Sequence, residues 1–148
     1  MIRGRSTRTA RGFTLLELVI VIMILGILAA VTAANFDQKS IDQTWFLEQV
    51  KSALRYAQKT AIAQRRVIYV VVNPTPNKLS LCYDAGCASP VSSIASSAAF
   101  VLTAPSGVIL TASTSPFTFN GLGQPSAAVT LAVNGSPVSV SAETGYVQ

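Results

Sequence analysis

Residues 13–34 read FTLLELVIVIMILGILAAVTAA, an unbroken apolar run of 22 residues in which Glu17 is the one charge. A helix needs about 20 residues, at about 1.5 Å each, to cross the hydrocarbon of a bilayer. Arg3, Arg5, Arg8 and Arg11 precede the run with no acid to offset them. By the positive-inside tendency the N-terminus stays cytoplasmic and the remainder lies outside the inner membrane. A secretory signal peptide is the competing reading, with the arginines as its basic start and Val31-Thr32-Ala33 near its cleavage site. Glu17 weighs against it, and against a plain anchor, because an acid inside an apolar span is by default a functional residue.

The overall charge of +5 belongs mainly to that leader: beyond residue 12, seven basic side chains face six acids. The chain has no His, two Cys and only 11% charged residues. Without His it offers no His-based acid/base pair, no usual triad and no typical zinc site. No catalytic residue, metal or cofactor is expected, and the low charge suggests surface lying against lipid or protein.

Gly12-Phe13-Thr14-Leu15-Leu16-Glu17, with a basic leader before it and an apolar run behind, resembles the processing motif of type IV pilins and type II secretion pseudopilins. The resemblance implies that a prepilin peptidase cuts between Gly12 and Phe13 and methylates the new amine of Phe13. A carboxylate in lipid costs up to about 2.5–3.5 kcal/mol at midplane, less near the interface, and the helix dipole offsets only part of this. The new ammonium at Phe13 of a neighbouring subunit would be the partner of Glu17. Such a buried pair selects subunit register more than it adds affinity. The plainer alternative is that Glu17 only decorates the first helical turn.

No proline occurs after the apolar run until Pro74, and Leu47, Val50, Leu54, Ala57 and Ala61 recur at helical spacing. This predicts one long helix over about residues 13–64, with a local break possible near 35–39, whose second half lays the Leu47 stripe on a sheet. Pilins often carry a proline where this chain has Ala33-Ala34-Asn35-Phe36, so no kink is implied there. Lys51, Arg55 and Lys59 stand four apart on another face, read either as a solvated face or as a binding stripe.

Strand patterns follow. Residues 67–72 suit a strand buried on both faces, stopped by Asn73-Pro74-Thr75-Pro76-Asn77. Leu79, Leu81 and Tyr83 then alternate with Ser80 and Cys82. Asn134-Gly135 between two β-patterned runs is the strongest hairpin signal, and Pro137 marks its second strand as an edge. Phe117-Thr118-Phe119 before Asn120-Gly121 adds another strand, while residues 88–104 read as a loop with a short strand at 100–102. The fold class is α+β: a long N-terminal helix, membrane-spanning in its first half and packed by its second half on an antiparallel β-sheet head.

Cys82 and Cys87 enclose a turn-like tetrapeptide, and a periplasmic head permits a disulfide there, with free thiols as the alternative. Between Asp84 and Glu143 lie 58 residues without a charge. Such surface packs on neighbouring heads without desolvating ions, although a sticky solvent face would read the same way.

Leu54-Arg55-Tyr56-Ala57 with Arg65 and Arg66 before a valine-rich strand, then Phe119-Asn120-Gly121-Leu122-Gly123-Gln124-Pro125, and a final Thr144-Gly145-Tyr146-Val147, is similar to the GspH/FimT branch of minor pilins. The resemblance implies a basic leader at 1–12, a transmembrane and filament-core helix at 13–35, an amphipathic helix at 36–65 and a periplasmic head at 66–148. It further implies a non-catalytic subunit at or near a filament tip. Its partners would be other pilins, an inner-membrane assembly platform, the peptidase and membrane lipid. Some members capture DNA through a basic Gly-Arg-x-Arg ending. Gly145-Tyr146-Val147-Gln148 lacks that arginine, leaving Lys51, Arg55, Lys59, Arg65 and Arg66 as candidates for a DNA-uptake role. A secreted soluble β-rich protein is the remaining alternative.

Overall fold

The structure, a computed structural model, describes residues 13–34, 38–93 and 97–148, with side chains described throughout except at 32–34. The chain divides into two compact units, residues 1–37 and 38–148.

The first unit contains α1 (Leu15–Ala34). Its 20 residues correspond to about 30 Å of helix. The large apolar side chains between Leu15 and Val31 are 44–81% exposed. Its side chains are described only as far as Val31, and among the described residues no helix is long and apolar enough to cross a membrane.

The second unit begins with α2 (Gln38–Gln64). Residues 35–37, where the break is expected, lie outside the described residues. On α2 the buried stripe is Phe46, Val50, Ala53, Leu54, Ala57, Thr60 and Ala61. Leu47 is only partly buried, and Phe46 takes the place expected of it at the head of the stripe. The helix ends in a Schellman motif: the Arg66 amide donates to the Ala61 carbonyl and the Arg65 amide to that of Ile62, both at 3.2 Å. Arg65 sits at φ 48°, a left-handed position usually given to glycine.

Against this helix lie two antiparallel sheets. The first contains β1 (Ile68–Pro74), β2 (Asn77–Cys82), β3 (Val101–Thr103) and β5 (Phe117–Phe119), in the order β3-β2-β1-β5. The second has β4 (Leu110–Ala112), β6 (Val129–Val133) and β7 (Ser136–Val140), in the order β4-β6-β7. Asn77 links them: its Nδ2 donates to the Val108 carbonyl at 2.7 Å and its Oδ1 accepts from the Leu110 amide at 3.1 Å. Where β5 stops, the Ser115 hydroxyl takes over its pairing role, accepting from the Val72 amide at 2.9 Å and donating to the Val72 carbonyl at 3.0 Å.

Three strand expectations need correction. β1 runs on through Asn73 to Pro74, and only Ile68, Val70 and Val72 are buried, while Tyr69 and Val71 are half-buried. It is covered fully on one face only. β2 does not alternate, because Ser80 and Cys82 are buried along with Leu79 and Leu81. The segment after the disulfide folds back beside this strand, with the Val91 amide on the Leu81 carbonyl at 2.8 Å and a bridge between Cys82 and Pro90. The short strand in the 88–104 region is Val101–Thr103, one residue later than expected.

The β6–β7 hairpin turns at Asn134 and Gly135, with φ 47° and 87°, as a type I′ turn requires. β7 lies at the sheet edge, and the C-terminus covers it: Ser139 and Gln148 exchange amide-to-carbonyl bonds at 3.0 and 3.1 Å.

Candidate assembly site

The start of α1 is built by Thr14. Its hydroxyl accepts from the Glu17 amide and its carbonyl from the Leu18 amide, both at 3.2 Å, which makes it the N-cap. Thr14-Leu15-Leu16-Glu17 has capping-box spacing, and Glu17 lies in the first turn, where the helix dipole favours a carboxylate. This local role does not neutralise the acid. The ion pair among the described residues is Lys51 with Glu48, on α2. Phe13, immediately before the cap, is 81% exposed. Gly12 lies outside the described residues.

The far end of α2 meets the turn after β5 and the C-terminus. Asn120 Oδ1 accepts from the Leu122 and Gln124 amides, both at 2.9 Å, closing a tight turn. A Cβ on Gly121 would come within 3.1 Å of the Arg65 backbone, and one on Gly123 within 2.7 Å of Ile62 Cδ1. Gln58 Nε2 donates at 3.0 Å to both the Gly123 and Thr144 carbonyls. Gly145, at φ 67°, packs where a Cβ would strike the Gly123 carbonyl and the Gln58 amide. Gln124 Nε2 reaches the Glu143 carbonyl at 3.0 Å. The two glycine-bearing motifs are thus one joint. Gln58, its hub, went unnoticed in the sequence because nothing but its place beside the Ala57–Ala61 stripe marks it.

Residues 7–33 match the prokaryotic N-terminal methylation motif. Over 71 residues the chain is 31% identical to the type II secretion system protein H of Pectobacterium carotovorum subsp. carotovorum. The chain thus carries the N-terminal methylation motif and is similar to a type II secretion protein over part of its length. The match covers 47% of this chain and 38% of the protein H chain, so it spans well under half of that relative. In fold, the chain is similar to the type IV minor pilin FimU of Pseudomonas aeruginosa (TM-score 0.56, 17% identity, 74% of this chain and 89% of that one). It is also similar to the minor pseudopilin EpsH of Vibrio cholerae (TM-score 0.53, 12% identity, 76% and 95%). The expected α+β pilin fold is the one observed.

The basic side chains expected on the head are dispersed. Lys51 Nζ pairs with Glu48 at 3.0 Å, and Arg55 Nη2 donates to the Val147 carbonyl at 3.2 Å, holding the C-terminal residues against α2. Lys59 is exposed. Arg65 forms the helix cap, and Arg66 stacks over the Tyr83 ring at 3.8 Å.

Tyr83 belongs to the loop closed by the Cys82–Cys87 disulfide, whose Cα atoms lie 5.1 Å apart. In that loop Asp84 accepts from the Ala88 amide at 2.9 Å and the Ser89 amide at 2.6 Å. These bonds favour the ionised carboxyl and hold its pKa below the usual carboxylate range, against a smaller opposing effect of burial.

Proposed function

We infer that the chain is a minor pilin or pseudopilin of the GspH/FimT branch, a structural subunit without catalysis of its own. Its residues 1–12 are a leader removed on the cytoplasmic side, and residues 13–35 hold the precursor in the inner membrane with the head in the periplasm. An assembly platform then draws the cleaved subunit into a helical bundle, at or near the filament tip, where neighbouring apolar helices replace lipid. Glu17 of the incoming subunit pairs with the methylated Phe13 amine of its neighbour.

The observation that carries this reading is an apolar helix with exposed large side chains, whose first turn holds one acid inside a matched methylation motif. An apolar helix with its large side chains exposed packs against lipid or other helices. DNA capture is the weaker reading, because Lys51, Arg55 and Arg66 already engage Glu48, Val147 and Tyr83.

Mass spectrometry of the membrane-purified protein tests the processing step. A mature chain beginning at methylated Phe13 is expected. A chain beginning near Ala34 would support the secreted alternative and overturn the reading.

A further inference from the structure

We propose that Ile41 and Trp45, near the start of α2, form an interfacial anchor that rests in the lipid headgroup layer while the subunit waits in the membrane. The inference deepens the reading above, since it requires residues 13–35 to be inserted.

Trp45 is the one tryptophan of the chain, yet it is 69% exposed, and Ile41, one helical turn earlier, is 46% exposed. Together they line a surface groove of ≈ 490 Å³ with the small hydroxyl residues Ser40 and Thr44 and with Glu48. Trp45 also lines an adjoining groove of ≈ 300 Å³ that includes Pro105. Ile109, 60% exposed, is brought to the same end of α2 by Asn134. The Asn134 Oδ1 accepts from the Ile109 amide at 2.7 Å, and its Nδ2 meets Gln43 Oε1 at 3.5 Å. This end of the head therefore shows three large apolar side chains to its surroundings.

Chain connectivity indicates what covers them. Three residues separate Ala34 from Gln38, so the Trp45 backbone lies within about 25 Å of the end of the apolar run along the chain. With residues 13–35 in a bilayer, this span lets the patch reach its surface. Indole is apolar in body with one N–H donor, and it concentrates where hydrocarbon meets water. The nearby acids are held locally, with Asp42 accepting from Gln38 Nε2 at 2.9 Å and Glu48 paired with Lys51. The patch thus contacts lipid through apolar and aromatic surface and does not require anionic headgroups.

Because Trp45 is the one indole, its fluorescence in the full chain reports this contact alone. The chain is reconstituted in phosphatidylcholine vesicles, washed in alkali to confirm insertion, and compared in lipids with and without bromine near the headgroup end of the acyl chain. The expected result is a blue-shifted emission that loses most of its intensity in brominated vesicles and little to aqueous acrylamide, with the loss reduced in Ile41→Asp. An inserted chain whose Trp45 is quenched by acrylamide and not by brominated lipid overturns the inference while leaving insertion intact. A Trp45 shielded from both quenchers lies against protein, such as a second copy, and overturns it equally. A chain removed by the alkaline wash overturns both the inference and the membrane reading.

Discussion

α1 and α2 are both helices, yet they differ in where their apolar partners are. α2 buries Val50, Leu54, Ala57 and Ala61 completely within its own unit and shows charge on other faces. α1 buries none of its large apolar side chains between Leu15 and Val31. One helix buries its apolar stripe within its own unit, and the other leaves its large apolar side chains exposed. Under the proposed function, the partners of α1 would be lipid first and neighbouring helices afterwards.

The contrast can be broken by truncation at matched positions. Leu54→Ala should lower head stability by about 2–5 kcal/mol in denaturant unfolding, because it opens a cavity beside β1. Leu25→Ala should leave the head transition unchanged. An equal loss at both sites would mean that α1 draws on its own head for cover.

Within the head, the joint around Gln58 separates architecture from ligand binding as the reason for its glycines. Gly145→Ala would add a side chain at φ 67° and push against both Gly123 and Gln58. A loss of about 2 kcal/mol or more is expected from backbone strain and disturbed hydrogen bonds. Unchanged stability would release these residues for another role.

The disulfide loop has a smaller effect. Replacing Cys82 and Cys87 together by Ser should cost about 2 kcal/mol, as expected for closure of so short a loop. The head should remain folded, since the core on α2 does not depend on the loop. Complete unfolding would show that the loop and not the helix organises this end of β2.

Least in size is the pH response of Asp84. Its folded pKa lies below the ordinary value of 3.8, so its contribution is fully present above that pH and is lost as pH falls through the folded pKa. Asp84→Asn should flatten acid unfolding in that window and leave behaviour at neutral pH little changed. An unaltered acid limb would mean that the amide bonds from Ala88 and Ser89 do not favour the carboxylate in solution.

Legibility in the sequence followed the range of the interactions involved. Asn134-Gly135 marked its hairpin because turn chemistry is local, and the short ring between Cys82 and Cys87 marked its bridge for the same reason. β4 was not visible, since Leu110-Thr111-Ala112 is too short to show a period and is held through Asn77, more than thirty residues away. The division into two sheets depends on such distant contacts, as does the burial of Ser80 beneath the segment after the disulfide. At the candidate site, the motif that contains Phe13 and Glu17 was legible because its residues lie together in the chain. The Gln58 joint was not, because its partners are 65 and 86 residues further on.

Under the proposed function, Glu17 acts between subunits and not merely as a first-turn acid. The direct measurement is the fraction of processed Glu17→Ala subunit recovered in sheared filaments beside the unaltered chain. The account predicts normal cleavage at Phe13 with strongly reduced incorporation. Cleavage and incorporation both at the unaltered level would contradict it.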